Sequence, residues 1–407
     1  MSGASNLIVF TYSYPYGFGE EWKYNEFNVL SGHFTHIIIQ PYTYGNNKEI
    51  QRELPLNVTV NEPLISDPLN SIGLISKGFF NLSPVKFALA DLVERKLYFR
   101  PKQFKFWLNS TLHVRHLSSH PFIQKLVSTK SPKTVLYFYW GTGPALMIPL
   151  FKQKNFSKIV AKFHGGDLYE ERSNGYLPFR KSIFQTLTNA LFISEQGLNY
   201  ASKKYRINNG LVFRLGVKTY GFAKHSQDDT FRIVTCSSAI PIKRLSLLIE
   251  ALFHVQFPVI WTHIGDGPLL PTLQKTASTL PNQIKANFLG FVPAHKVQEF
   301  YTEDTVDLFI NVSETEGVPV SIMEALSAGI PVVATDVGGT HEIVNAENGK
   351  LIAPDISASE LAGEISCFYN LPLTQKKRLR EGAFQMFEKK SNADNLYESL
   401  AQFLVKD

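Results

Sequence analysis

Cysteine occurs only twice in these 407 residues, as Cys236 and Cys367, and neither lies in a CxxC pair or a Cys/His cluster with metal-ligand spacing. That excludes a disulfide framework and a structural zinc site, and it fits a reducing, cytosolic setting. Long apolar runs are also missing. No stretch reaches the roughly 18 to 20 residues that a spanning helix needs, and the opening MSGASNLIVFTYSYPYGFGE has no basic region ahead of its apolar run. It reads as a first strand entering a turn. Nothing is low in complexity or repeated at a solenoid period, and N-x-S/T triplets such as NVS at 311–313 read as chance in a reducing compartment.

What is present fits a globular chain with apolar material for two cores: 44% hydrophobic and 19% charged residues. The length exceeds what one core usually serves, so two domains of about 200 residues are expected. The net charge of +6 hides an asymmetry. Residues 1–215 hold 25 Lys+Arg against 13 Asp+Glu, a balance of +12, and the remainder holds 16 against 22, a balance of −6. The first half should meet an anionic partner: a nucleic acid, a membrane surface or a phosphorylated acceptor.

Short apolar runs mark buried parallel strands: LIVFTYSY from Leu7, HIIIQPY from His36, TVLYFYW from Thr134, KIVAKFHGG from Lys158 and ALFISE from Ala190. Residues 62–128 interrupt this alternation with aromatic and basic residues. The polar stretch KTYGFAKHSQDD, 218–229, reads as an interdomain linker. Beyond it FRIVTCSS, PVIWTHIGDG, VDLFINVS and IPVVATDVGG are further strands, alternating with helices such as RLSLLIEALFHV. The fold class is α/β, with two Rossmann-like parallel-sheet domains over residues 1–217 and 222–388 whose carboxyl-end strand edges face a cleft.

The stretch SETEGVPVSIMEALSAGIPVVAT carries the sharpest chemistry. Pro319 suits a first helical turn, VSIMEALSA reads as the helix, and Gly329 with Pro331 ends it. Free amides around Gly317, Val318 and Val320 would then form an anion site for a diphosphate. Glu316 and Glu324, eight positions apart, would repel that anion unless they accept hydroxyls, and a sugar nucleotide has hydroxyls on both sides of its diphosphate. One acid would hold the transferred sugar and the other the ribose. The plain alternative is that Glu316 complements the helix dipole and Glu324 is a solvated helical residue. Gly265, Asp266 and Gly267 read as a tight strand exit, and Asp266 could cap the next helix.

With these residues in view, the chain resembles the retaining glycosyltransferases of family 4, which have the GT-B fold. The resemblance spans almost the whole chain and is strongest from Arg232 to Leu351, where IKRLSLLIEAL, HIGDGPLLPTL, FLGFVPAHKVQEFY, SETEGVPVSIMEALSAGIPVVATDVGGTHEIV and NGKLI follow in the family's order. It implies that Glu316 and Glu324 contact donor sugar and ribose, and that Lys243 clamps the diphosphate. The family's partner arginine falls on Ser238 and its glycine on Arg244, so the second charge comes from Arg244 or is replaced by Ser237 and Ser238 hydroxyls and the helix N-terminus. His164, in KFHGGDLYEER, resembles the histidine beside the family's reacting centre; a satisfied core histidine is the bland alternative. Gly17 and Gly19, in YGFGEEW, resemble the loop facing the donor phosphates. The last helix, within 389–407, is expected to return to the first domain as in the family. The base should lie near Phe291 and Val292.

No carboxylate is placed as a nucleophile for a covalent intermediate, so the resemblance implies same-face substitution assisted by the leaving diphosphate. The expected catalytic residues are His164, Glu316 and Lys243. Ser238, Lys243, Arg244, Glu316 through Val320 (with Gly317, Val318 and Pro319), Glu324, Gly17 and Gly19 would hold a UDP- or GDP-linked sugar. No cofactor or metal is expected. ERKLYFRPKQFKFWLNSTLHVRH, 94–116, interleaves basic and aromatic residues, which suits an anionic membrane interface, a single-stranded nucleic acid or a packed segment with a solvated basic face. The transferase reading favours the membrane over nucleic acid: transfer to a lipid-linked glycan of a cell-surface polysaccharide by a cytoplasmic protein at the inner face of the plasma membrane. A sugar synthase with a small soluble acceptor, or a non-catalytic sugar-nucleotide-binding subunit of an assembly complex, are the alternatives.

Overall fold

Alternate residues of the inner strands feed two different apolar clusters, which is why those strands read as continuous hydrophobic runs. Leu7, Val9, Ile37, Ile39, Val135 and Tyr137 pack on one face of the first sheet, and Ile8, Phe10, Leu136 and Phe138 on the other. The structure, a computed structural model, describes residues 4–17, 20, 23–45, 47–49, 53–65 and 85–406. It divides into a unit of Met1–Phe213 with Tyr397–Asp407 and a unit of Arg214–Leu396.

Among its described residues the first unit holds seven strands: β1 (Asn6–Thr11), β2 (His36–Pro41), β3 (Val58–Val60), β4 (Ser131–Phe138), β5 (Phe156–Phe163), β6 (Asn189–Phe192) and β7 (Gly210–Val212). All pairings are parallel, in the order β3-β2-β1-β4-β5-β6-β7. The chain reverses its direction of travel between β1 and β4, the switch point at which open α/β sheets place ligands. Phe27 and Leu30 of helix Lys23–Ser31 cover one face together with Leu400, Ala401 and Leu404 of the last helix, Ala393–Val405. That helix therefore ends on the first sheet, where the Ala4 amide donates to the Val405 carbonyl at 3.0 Å. Residues 85–128, irregular by sequence, form helices Val85–Glu94, Pro101–Ser118 and Pro121–Ser128; Trp107, Val114 and Leu117 among their residues cover the other face.

The second unit holds β8 (Phe231–Cys236), β9 (Val259–Ile264), β10 (Ile284–Phe288), β11 (Leu308–Asn311), β12 (Val332–Thr335) and β13 (Gly349–Ile352). They are also parallel, in the order β10-β9-β8-β11-β12-β13, with the switch point between β8 and β11. Helices Leu245–Leu252 and Ala358–Tyr369 bury Leu248, Leu252, Leu361 and Ile365 against Ile233, Trp261 and Leu308. The polar stretch 218–229 is held against this unit. Thr219 Oγ1 donates to Ser327 O at 2.7 Å, Ala223 N to Ala328 O at 2.9 Å, and Ser226 N to the Asp307 carboxylate at 2.9 Å. Its polar side chains serve as caps, so polarity there does not mark a free tether.

Candidate functional site

At the carboxyl end of β11 the chain turns through Asn311–Pro319 and enters the helix Val320–Ser327. Pro319 is its N-cap, with φ −72° and ψ 117°, and no side chain among the described residues caps it. The first-turn amides of an uncapped helix carry its positive dipole end. A second turn holds this loop in place: Gly339 N donates to Gly317 O at 2.6 Å, and Gly338, at φ +57°, lies so close that an added Cβ would stand 2.1 Å from the Glu316 carbonyl oxygen.

Lys243 Nζ meets Glu316 Oε1 at 2.6 Å, both side chains being largely buried. Asn311 Nδ2 donates to the same oxygen at 3.3 Å while its Oδ1 accepts from Ser313 N at 3.0 Å. An ammonium, a carboxylate and a helix N-terminus therefore converge after strands β8 and β11, which flank the switch point. Lys243 ends a one-turn helix, Pro241–Lys243, and Arg244 follows in the left-handed region at φ 47°. Arg244 donates from Nε to Val312 O at 2.7 Å and from Nη1 to Pro354 O at 2.6 Å, with Nη2 buried and without a partner among the described residues. Ser238 is exposed, in a loop packed on the glycine turn, where a Cβ on Gly265 would stand 1.9 Å from Ser237 O. Asp266 caps its own turn by accepting from Gly267 N at 2.7 Å, rather than the helix Leu270–Ala277.

Glu324 lies on the same helix, partly buried. Burial pushes its carboxyl up to about 7, against a hydrogen bond from the buried Gln298 that pulls it down. The nearby Cys236 thiol and Tyr301 phenol are pushed up by burial and by the Glu324 charge. The sequence reading missed Asn311 and Gln298, which orient the two acids; an amide at the end of a strand or inside a helix carries no signature of its own. Phe291 is 67% exposed.

The remaining predicted residues lie in the first unit. His164 caps the short helix Gly165–Leu168 at the end of β5 and is buried between aromatic neighbours, with Tyr139 stacked at 5.6 Å and Trp140 tilted at 4.3 Å. Both its ring nitrogens are buried, with no hydrogen-bond partner among the described residues; Nδ1 is 3.8 Å from Asp167. Desolvation lowers its pKa against the pull of Asp167, which favours a neutral imidazole. Asp167 is spent on the amides of His164 and Gly141, each at 2.6 Å. Gly17 has φ +64°, and Gly19 lies outside the described residues. Glu20 holds that loop, accepting from Ser13 N, Tyr14 N and Trp140 Nε1 at 3.0, 2.7 and 2.7 Å, and pairs with the fully buried Lys23. This connection between the loop after β1 and the ring beside His164 is invisible to motif reading.

Residues 218–386 match the family model described as Glycosyl transferases group 1. The chain is 26% identical over 261 residues to WcaL of Escherichia coli (strain K12), named for a glycosyltransferase of colanic acid biosynthesis; the match covers 61% of this chain and 64% of that protein, under two thirds of its length. The lipopolysaccharide outer core galactosyltransferase WaaB, in its apo form, superposes with a TM-score of 0.66 at 16% identity, covering 98% of this chain and 99% of that one. Anabaena Alr3699/HepE, solved in complex with UDP, gives 0.62 at 17% identity with the same coverage. The chain has the GT-B fold, and residues 218–386 are a glycosyl transferases group 1 domain.

Proposed function

We propose that this group 1 domain binds a nucleotide sugar and that the chain transfers the sugar, with retention at the anomeric carbon, to a hydroxyl of a lipid-linked glycan in cell-surface polysaccharide biosynthesis. The observation that carries the reading is the 2.6 Å Lys243–Glu316 pair beside the uncapped N-terminus of Val320–Ser327. Lys243 and the amides from Gly317 to Val320 receive the diphosphate; Glu316 accepts a hydroxyl of the sugar and Glu324 one of the ribose. As the acceptor oxygen bonds to the anomeric carbon, the bond to the diphosphate breaks and the hydroxyl proton passes to a diphosphate oxygen. The neutral His164 ring, whose nitrogens have no partner within hydrogen-bond distance among the described residues, suits a hydrogen bond to a sugar hydroxyl. Lys243 and the helix dipole supply the positive charge at the leaving group, so turnover is expected to survive chelation of divalent metals.

The colanic acid context of WcaL and the UDP bound to HepE support the polysaccharide and nucleotide parts of this reading. No helix among the described residues is long and apolar enough to cross a membrane. Tyr98, Phe99, Phe104 and Phe106 are nevertheless exposed beside the exposed Lys96, Arg100, Lys102 and Lys105, which supports peripheral contact with an anionic inner-leaflet surface. The deciding experiment is thermal stabilisation by UDP, GDP, ADP and their sugar conjugates, with Lys243→Ala and Glu324→Ala as controls. A shift for one base, lost in both variants, identifies the donor; no shift for any would leave a subunit without donor chemistry. Binding to phosphatidylglycerol vesicles that weakens with salt separates a membrane-borne acceptor from a small soluble one.

A further inference from the structure

Two of the three strands on the β1 side of the first sheet's switch point are followed by a tyrosine: Tyr12 comes after β1 and Tyr42 after β2. Their backbones are tied together. Tyr42 N donates to Thr11 O and Tyr12 O at 3.0 and 3.1 Å, and Thr43 N donates to Tyr12 O at 3.0 Å. The two rings meet at 5.5 Å with their planes 40° apart. Behind them the Tyr42 hydroxyl is bonded to Nε2 of the buried His113 at 2.6 Å, so the Tyr42 ring is a fixed wall. Tyr12 lies in front of it with half its surface, 50%, in solvent. The same two loops bring Tyr16 and Tyr44 edge to face at 4.9 Å, and touch where Gly45 lies against Ser13.

This is a rigid backbone presenting an exposed aromatic face at a strand's carboxyl end. Such a face suits a pyranose ring, whose axial C–H bonds carry the partial positive charge that the negative face of an aromatic ring attracts. Its equatorial hydroxyls would point outward to a polar rim. The charges here argue against an anionic group. Among the described residues Lys48, 5.3 Å over the Tyr44 ring, is the nearby cation, and it is opposed by Glu62, which accepts from the Tyr44 hydroxyl. A phosphate would gain little from Lys48 and meet the Glu62 charge.

We propose that Tyr12, backed by Tyr42, is the acceptor subsite for a neutral hexopyranose, bound through the C–H face of the sugar ring. Its role as an acceptor subsite rests on the transferase reading; the binding of the sugar does not. The test is saturation-transfer NMR on the full chain with methyl β-glucopyranoside, methyl β-galactopyranoside and methyl N-acetyl-β-glucosaminide, and with glycerol 3-phosphate as the anionic probe. At least one glycoside should be saturated at its C–H face protons. Tyr12→Ala should weaken that binding about tenfold with an unchanged melting temperature, the effect of losing one aromatic contact, and Tyr12→Trp should retain it. Equal saturation in Tyr12→Ala, loss in Tyr12→Trp, saturation of glycerol 3-phosphate alone, or no saturation by any glycoside would overturn the proposal. Nucleotide-induced melting shifts on the same samples separate the two readings. A nucleotide shift without glycoside binding sinks this subsite alone, whereas Tyr12-dependent glycoside binding without any nucleotide shift sinks its acceptor role along with the transferase.

Discussion

Glu324 is a carboxyl that the fold disfavours as an anion. Its pKa rises from 4.5 to about 7, so between those values the folded chain holds a proton that the unfolded chain has released. Stability from this group is fully present below about pH 4.5 and is lost as pH rises through 7. Because the residue is not fully enclosed, the loss is put at about 1–3 kcal/mol. Glu324→Gln, which keeps the shape without the charge, should therefore melt higher than the parent at pH 8 and nearly level with it at pH 4.5; a pH-independent difference would contradict the assignment. Ribose hydroxyls donate best to the ionised form, so nucleotide affinity should rise as pH passes 7 and lose that dependence in the Gln variant. Lys243 is the opposite case, a cation that on the proposed reading stands where leaving-group charge develops. Lys243→Met should lower kcat about 10²–10³-fold with a smaller change in donor KM, measured once the donor is known. The helix start that follows Glu316 and the helical place of Glu324 were legible in the sequence because a proline opens that helix and turn residues bound it. Asn311 and Gln298, which aim the two acids, were not, since their role depends on which strand and helix lie alongside.

At the scale of elements, the nine strands legible as apolar runs are the inner strands of the two sheets, and the four that were not, β3, β7, β10 and β13, are all edges. The physical reason is burial. An inner strand is covered on both faces and flanked on both sides, whereas β10, IKANF, buries only its first residue and β7 none, so no hydrophobic run marks them. The turn Val337–Gly339 shows how the loops at these strand ends depend on glycine for more than one reason. Gly338 combines φ +57° with the 2.1 Å approach to Glu316 O, while Gly143, at φ +60°, faces open space. Gly143→Ala should cost about 1 kcal/mol, the left-handed penalty alone. Gly338→Ala must also push the Glu316–Pro319 loop away, and should cost several times more and abolish the nucleotide-induced melting shift. Comparable melting of the two variants would show that the loop yields without consequence.

For the whole molecule, the last helix decides how far the two units stand alone. It starts against the second unit, where Ala393 N donates to Val217 O at 3.0 Å and Gly216 leaves no room for a side chain, and it ends in the core of the first. Tyr397, Leu400, Ala401 and Leu404 are each no more than 1% exposed. Burying a large apolar side chain is worth about 1.5–3 kcal/mol, so removing residues 397–407 should cost the first unit on the order of 5 kcal/mol or more and leave one face of its sheet open to water. The second unit keeps its own six-stranded sheet and apolar cluster in that truncation. Calorimetry should then resolve two transitions, the lower one belonging to the first unit, with the bound nucleotide raising only the upper. A single transition at the parent temperature would mean that the helix adds little to the first core. Loss of the nucleotide shift together with the helix would mean that donor binding needs the first unit intact, and the Lys243–Glu316 pair would then be only part of the donor site.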